Sequence, residues 1–484
     1  MMIVQPLPLK MKKLPLLLAG FGLSTLSMVV PAADWVISPA VTLEQTYTDN
    51  SLLTNDNEEH DNITRIRPSL SLYREGARAK VDLNYAPEYR RYWNETQDDE
   101  LVHFLRADGK AELLQNHLYL DGWATADVTN ITSTGRSGLD SATGRTDSTE
   151  VYTAGMSPYF TARMGNFSTL EARYTADTVH YTQNGLDDSK GQRVDLVLGS
   201  GTAFSSQVWE LSAMQSVADY DSLDNDNEVK RVRAELAQQI THQWALAFAA
   251  GNEDYKLAIS PDSDGSLWSV GIIYTPSPRT RLALGGGERS FGNDYYLDFS
   301  HRSQLSVWTA SYTRDYTSAR EEIMRPTLFQ RQDAFGNLVR DAVLDNPIAP
   351  ERSGSPTLNA DFYQIERFDT SFTLASGRTM LLLQAGRTER IYEDALLDTR
   401  EWNGAVALGR NISQRATGYV VIGWLDHKED VLEYDQWVTS LRGDYRVGNA
   451  ATLGMSLAHL ARDASIDVAS YTENRFNILF SMTF

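Results

Sequence analysis

The C-terminal stretch Tyr471–Phe484, YTENRFNILFSMTF, limits the fold more than any other part of the chain. Read back from the terminus, Phe484, Met482, Phe480, Ile478 and Phe476 are all large and apolar. The residues between them, Thr483, Ser481, Leu479, Asn477 and Arg475, are mostly polar. A period of two describes an extended strand with one apolar face and one wet face. A soluble sandwich could use one such strand. Here the alternation recurs from Asp34 onward, and the chain stops on the last aromatic. Only closed barrels let alternating strands cross lipid, because an open sheet edge would leave backbone groups without partners. The expected fold class is all-β: a single closed antiparallel transmembrane β-barrel.

Strand-like runs alternate with two kinds of connection. One kind is short, as at Arg74-Glu75-Gly76, Met164-Gly165-Asn166, Ser376-Gly377 and Gly448-Asn449. The other is longer, acidic and rich in Asp, Asn and Ser. Outer-membrane barrels have this asymmetry of tight periplasmic turns and long external loops. The runs number about 22, an even count with both termini periplasmic. The short runs around Trp268 and Tyr295 widen the range to roughly 18–22. The terminal strand, with Phe476, Ile478, Phe480, Met482 and Phe484 on one face, resembles the signal that the barrel-assembly machinery reads.

Individual runs show the two faces. Ala77, Ala79, Val81, Leu83 and Tyr85 oppose Lys80, Asp82 and Asn84; Trp437, Leu441, Tyr445 and Val447 oppose Ser440, Arg442, Asp444 and Arg446. An Arg or Lys at mid-membrane costs roughly 2–4 kcal/mol, so the charged face turns to the lumen. The pore-lining candidates are Glu171, Arg173, Asp177, Arg231, Arg233, Glu235, Arg367, Asp369, Arg442, Asp444, Arg446 and Arg475. The Arg clusters suit carboxylates of an acidic polymer; alternatively they pair with Glu235 and Asp444 and fill the lumen. Tyr92-Trp93, Tyr295-Tyr296, and Tyr312 with Tyr316 read as interfacial girdles.

Residues 1–33 read as a cleaved secretory signal. Lys10, Lys12 and Lys13 precede the apolar run Leu14–Val30, and Pro31-Ala32-Ala33 closes it. Residues 34–484 then form the barrel, addressed to the bacterial outer membrane by Sec export. Cys is absent, which removes disulfides and thiolate metal sites. Without the three signal lysines, 41 basic face 64 acidic side chains, a net −23 that excludes nucleic acid as a partner. The acidic stretches Asn55–Asp61 and Asp219–Glu228 read as solvated loops, with divalent-cation binding beside lipopolysaccharide as the alternative. No cofactor or metal site is expected.

The longest insertion is Thr317–Asp361, with Pro326, Pro347, Pro350 and Pro356. Its Leu328, Phe329, Val339, Val343 and Leu344 favour a loop that narrows or caps the pore. Catalysis is not expected. His103, His117, His180, His242, His301, His427 and His459 each stand alone near strand ends, outside any nucleophile–base motif. A gated siderophore or vitamin transporter, also of 22 strands, is set aside because such barrels carry a plug before the first strand, which here starts at Trp35.

The start of the mature chain carries a resemblance: Trp35-Val36-Ile37-Ser38-Pro39, then Glu44-Gln45-Thr46-Tyr47-Thr48-Asp49-Asn50. Together with the length and terminal Phe, this is similar to the PEP-CTERM-system-associated outer-membrane proteins, barrels encoded with exosortase and exopolysaccharide genes. The resemblance implies a channel passing exopolysaccharide to the cell surface, with polysaccharide, outer-membrane lipid, the assembly machinery and a periplasmic polysaccharide-export complex as partners. The alternatives are a general or small-solute porin and a non-conducting structural barrel. Read as local structure alone, Thr46–Asn50 is a strand end followed by a turn.

Overall fold

The structure, a computed structural model, describes residues 35–324, 356–392 and 398–484. Among them the strands are β1 (Val36–Thr48), β2 (Asp61–Glu75), β3 (Ala79–Tyr92), β4 (Glu100–Leu114), β5 (Leu118–Asn130), β6 (Ser148–Met164), β7 (Ser168–Tyr181) and β8 (Ser189–Ser200). Next come β9 (Gln207–Tyr220), β10 (Asn227–Gln239), β11 (Trp244–Lys256), β12 (Ser263–Ser277), β13 (Thr280–Arg289), β14 (Gly292–Arg302) and β15 (Ser306–Ser318). After the short helix α1 (Ala319–Met324) follow β16 (Phe362–Ser376), β17 (Thr379–Tyr392), β18 (Thr399–Asn411), β19 (Ala416–Glu429), β20 (Glu433–Val447), β21 (Ala451–Ala464) and β22 (Tyr471–Thr483).

Each strand pairs antiparallel with the next, and β22 returns to β1 with Leu43 opposite Phe480 and Thr48 opposite Arg475. The 22 strands thus close on themselves as an outer-membrane β-barrel. Closure leaves the sheet no free edge, the condition for strands to sit in lipid. Period two then fixes what each side chain meets. On β20, Tyr434, Gln436, Val438 and Ser440 are buried, while Trp437, Leu441 and Tyr445 are about half exposed on the outer face. The same split puts Phe476, Ile478 and Phe480 of β22 outside and Glu473 and Arg475 inside.

Turns at one end are tight. Gly377 (φ 57°), in the two-residue turn between β16 and β17, and Gly448 (φ 77°), in the three-residue turn between β20 and β21, occupy the left-handed region that such tight hairpins demand. The opposite end carries the longer connections. The runs around Trp268 and Tyr295 are full strands, β12 and β14, so the count settles at 22. The insertion begins after Ser318 rather than at Thr317, because β15 extends further and leads directly into α1. The signal 1–33 and Leu328, Phe329, Val339, Val343 and Leu344 lie outside the described residues.

The aromatic girdle needs correction. Trp93 and Tyr295 are exposed on the outer face, but Tyr92 and Tyr316 are buried inside. Tyr296 also turns inward, its ring over Gly285. Adjacent residues on a strand face opposite ways, so a sequence pair of aromatics supplies one girdle member, not two.

The terminal Phe484 donates its N–H to the Pro39 carbonyl at 2.9 Å, and its ring is exposed. Its deletion leaves the β1–β22 pairing intact, so refolding in detergent should be nearly unchanged. If the ring is read by assembly machinery, folded barrel recovered from outer membranes should nonetheless drop sharply. Equal recovery with and without Phe484, judged by heat-modifiable gel mobility, would remove the recognition role.

Candidate functional site: a strapped lumen

Lumen-facing side chains near the loop end hold two segments across the barrel. The first strap is the β5–β6 connection, residues 131–147. Arg65 on β2 donates to Glu44 of β1 at 2.6 Å and to Asp140 of the strap at 2.7 Å. Arg475 on β22 reaches the other Asp140 oxygen at 2.9 Å and Glu473 at 2.8 Å. Arg90 on β3 donates to the Ser141 carbonyl at 2.6 Å, and Arg462 on β21 to the carbonyls of Thr134 and Gly135 at 3.0 Å. Burial pushes the Asp140 carboxyl up, but Arg475 and Arg65 outweigh it and hold the group well below the usual carboxylate range.

The second strap is α1 together with residues 356–361. Arg320 donates through Nε to Ser189 of β8 at 2.9 Å and forms an ion pair with Asp177 of β7. Two residues on, Glu322 accepts from Arg367 of β16 at 2.8 Å, Arg390 of β17 at 3.1 Å and the Tyr363 hydroxyl. Burial raises the Glu322 carboxyl, and Arg390 and Arg367 overcome this to leave it at about 2. The charges of α1 therefore anchor it to both sides of the lumen.

The straps also touch each other. The Leu358 N–H donates to the Ile131 carbonyl at 2.8 Å, and the Ser133 N–H to Thr357 Oγ1 at 3.2 Å. Ser133 Oγ donates to Glu429 at 2.9 Å. His427, fully buried, lies between Glu401 at 3.0 Å and Glu429 at 3.5 Å and stacks on Tyr434. Arg390 bonds Glu401 at 3.1 Å, so an unbroken polar chain runs from one strap to the other. A solvated rim position was expected for His427; the second face of β19 carries it inward instead.

A third cluster sits where β10, β11, β13 and β15 meet. Glu253 is fully buried and bonds Arg289 at 2.9 Å and Arg231 at 3.3 Å, and Arg289 continues to Asp315 at 3.2 Å.

Of the residues singled out from sequence, Asp177, Arg367 and Arg475 anchor straps, and Arg231 belongs to the third cluster. Arg173 pairs with Asp121 and Glu171, each at 3.0 Å, with its guanidinium over the Tyr159 ring. Arg233 pairs with Glu235 at 2.8 Å and Arg442 with Asp444 at 3.0 Å. Asp369 lies opposite Gly386 and Ser311 in mid-strand, and Arg446 is exposed near a turn. Arg65, Asp140, Glu322, Arg390, Glu401 and Glu253 were missed. Parity along the strands would have put Arg65, Glu253, Arg390 and Glu401 inside; nothing local marks Asp140 or Glu322. Asn50 and Thr48 at the top of β1 act structurally: Asn50 caps the turn through Thr54, and Thr48 bonds Glu473 at 2.8 Å. Among the described residues no group of three or more His, Asp or Glu could hold a metal ion, so the acidic loops are not assigned one.

No family model matches the chain, and no curated protein does. Solved structures do. The siderophore receptor PirA of Acinetobacter baumannii is 8% identical, with 94% of this chain and 81% of that one covered and a TM-score of 0.52. The ferric-catecholate import receptor Fiu of E. coli K12 is 10% identical over 94% and 82%, at 0.52. A variant of the ferric enterobactin receptor PfeA of Pseudomonas aeruginosa is 9% identical over 93% and 81%, at 0.53. At such identities the likeness is one of fold. It nonetheless runs against the export and porin expectations: the three solved barrels named are receptors, one of them for import. The straps give the physical reason, since ion pairs buried across the loop end occupy the bore that a passing polymer would need.

Proposed function

We propose that the chain is a gated outer-membrane uptake barrel, which admits a ligand from the cell surface once its lumen straps shift. The observation that carries this is the anchoring of two loop-end segments by buried ion pairs to opposite walls of a 22-stranded barrel. Removing one partner of such a buried pair strongly destabilises it, because the remaining charge is left uncompensated. The lumen wall toward the turns is partly exposed and lined with paired charges and hydroxyls, which exchange hydrogen bonds readily with water. Outer-membrane lipid surrounds the apolar face. Kinship with the PEP-CTERM-associated barrels, resting on the WVISP and TYTDN motifs, is kept within this proposal without the export role.

The ligands of the fold neighbours suggest a ferric catecholate chelate as the first cargo to test. Cells expressing the barrel should accumulate at least one supplied ligand saturably above cells without it, while the purified barrel passes little current in planar bilayers. A steadily open channel with flux linear in solute concentration would overturn gated uptake.

A further inference from the structure

The barrel wall has a seam. β14 pairs with β15 only over Leu297–Arg302 against Val307–Tyr312. Above that, the backbone of Gly292–Tyr296 pairs only with β13 and that of Thr313–Ser318 only with β16, and the Arg314 guanidinium reaches across the parting to donate to the Asn293 carbonyl. Paired residues rise about 3.3 Å each along strands tilted about 40°, so pairing ends roughly 15 Å above the turn. The hydrocarbon core is about 30 Å thick, which puts the parting in its upper half. Unpaired backbone at that depth is stable only where it lines a cavity rather than lipid. β4 and β5 also part, above the Leu105–Ala126 pair, but higher, and the first strap backs that gap through the Arg145–Glu100 ion pair.

Above the seam the top of β15 leans inward. Tyr316 packs edge-on against Tyr255 at 5.1 Å between ring centroids and stacks on Phe291, while Phe362 contacts Tyr255. These rings form an apolar roof. Beneath the charged cluster of Glu253, Arg231 and Arg289, the lumen face of β11–β13 carries Ala249, Leu267, Ile273 and Ala283. Tyr296 lies flat on the same wall; a Cβ at Gly285 would come within 2.6 Å of its ring. The outer face of this sector is apolar as well, with Phe248, Trp268, Val270 and Leu284 exposed. Apolar surface thus flanks the seam on the lipid side and on the lumen side, and charged pairs border it: Arg281 with Asp298 at 2.9 Å and Arg289 with Asp315 at 3.2 Å.

The geometry points to a lateral door between β14 and β15, through which a single-chain amphiphile passes between the outer leaflet and the lumen. This rests on reading the barrel as an uptake protein and gives it a second route, for amphiphiles, that does not require the straps to shift. The cargo keeps its alkyl tail against the rings and the apolar outer face, with its polar head following the Arg289–Asp315 and Arg281–Asp298 pairs, and Arg314 must release the Asn293 carbonyl for it to pass. The acidic loops above play no part, and the axial straps can remain docked.

The chain lacks Cys, so paired cysteines can be installed without interference. Tyr296→Cys with Thr313→Cys continues the β14–β15 register across the seam; Ser300→Cys with Thr309→Cys lies within the paired stretch and serves as control. Both are bridged with a short cleavable bis-thiol reagent, and uptake of a nitrobenzoxadiazole-labelled dodecanoate is followed in expressing cells. Bridging the seam should bring uptake down to that of cells without the barrel, and cleavage should restore it; bridging the control should change nothing. Uptake that persists through the bridged seam overturns the door while leaving gated uptake standing. Absence of uptake of both the dodecanoate and any hydrophilic ligand by the unbridged barrel overturns the two together. A diazirine dodecanoate gives a readout on the unmodified chain: photolabelling should concentrate on Tyr296 and the upper half of β15, and labelling confined to the outer face of other strands refutes the route.

Discussion

Glu322→Gln combined with Arg320→Ala should free α1 from the lumen wall and raise the single-channel conductance of the purified barrel. Glu322 is the shared acceptor for Arg367, Arg390 and Tyr363, and its loss takes that acceptor from Arg367 and leaves the buried Arg390 with Glu401 alone. Arg320 is the counterion of Asp177 inside the barrel. Removing one partner of a buried pair costs about 3–5 kcal/mol, because the remaining charge is stranded. At about 1.4 kcal/mol per tenfold, the docked fraction of the strap falls by roughly 10²–10³ relative to the undocked one. Backbone amides of 319–324 should then exchange with solvent far faster, and the bilayer should show long open events. The strands themselves keep all their ladder bonds, so heat-modifiable gel mobility should be unchanged. Slow exchange at 319–324 together with an unchanged closed current would show that the latch lies elsewhere. Adding Asp140→Asn, which removes the carboxylate shared by Arg65 and Arg475, should open the channel further, since the two straps brace each other through Ser133 and Thr357.

What could be read from sequence follows from which forces are local. Period two in β20 and β22 reflects a single constraint, hydrocarbon on one side and water on the other, and it acts on each strand independently. Strand count, closure and the inward facing of residues such as Arg475 were therefore visible. Partnership was not. Arg475 meets Asp140 across more than three hundred residues, and Asp140 sits in a Gly- and Ser-rich connection indistinguishable from any solvated loop. His427 shows the same limit: a histidine near a strand end looks solvated until the strap carrying Ser133 covers it and Glu429. Function was misjudged for a related reason. A wide barrel with charged inner faces implies an open bore only if its loops stay outside, and loop direction is set by such remote ion pairs. The β14–β15 seam also escaped notice, because β14 reads as an ordinary short strand and the break lies in pairing, not composition.

Acid should loosen the straps, and the window follows from the carboxyls that hold them. Glu322 lies at about 2 against an ordinary value of 4.5, and Asp140 lies well below its ordinary 3.8. Each is depressed in the docked state, so the undocked state binds more protons over the interval between the two values. The stabilisation is full above the undocked value and is lost as pH falls through the docked one. Holding Glu322 from 4.5 down to about 2 corresponds to about 3 kcal/mol, or roughly a few hundredfold in docked over undocked strap. Conductance should stay low and flat from neutral pH down to about 4.5, then climb steadily toward pH 2, with amide exchange at 319–324 rising in parallel. In Glu322→Gln the strap is already loose, and its share of the acid response should disappear, leaving only that of Asp140. Opening between pH 8 and 6 would place the response outside the carboxylates that hold the straps. In that event the carboxylate latch would not be the element that sets the closed state.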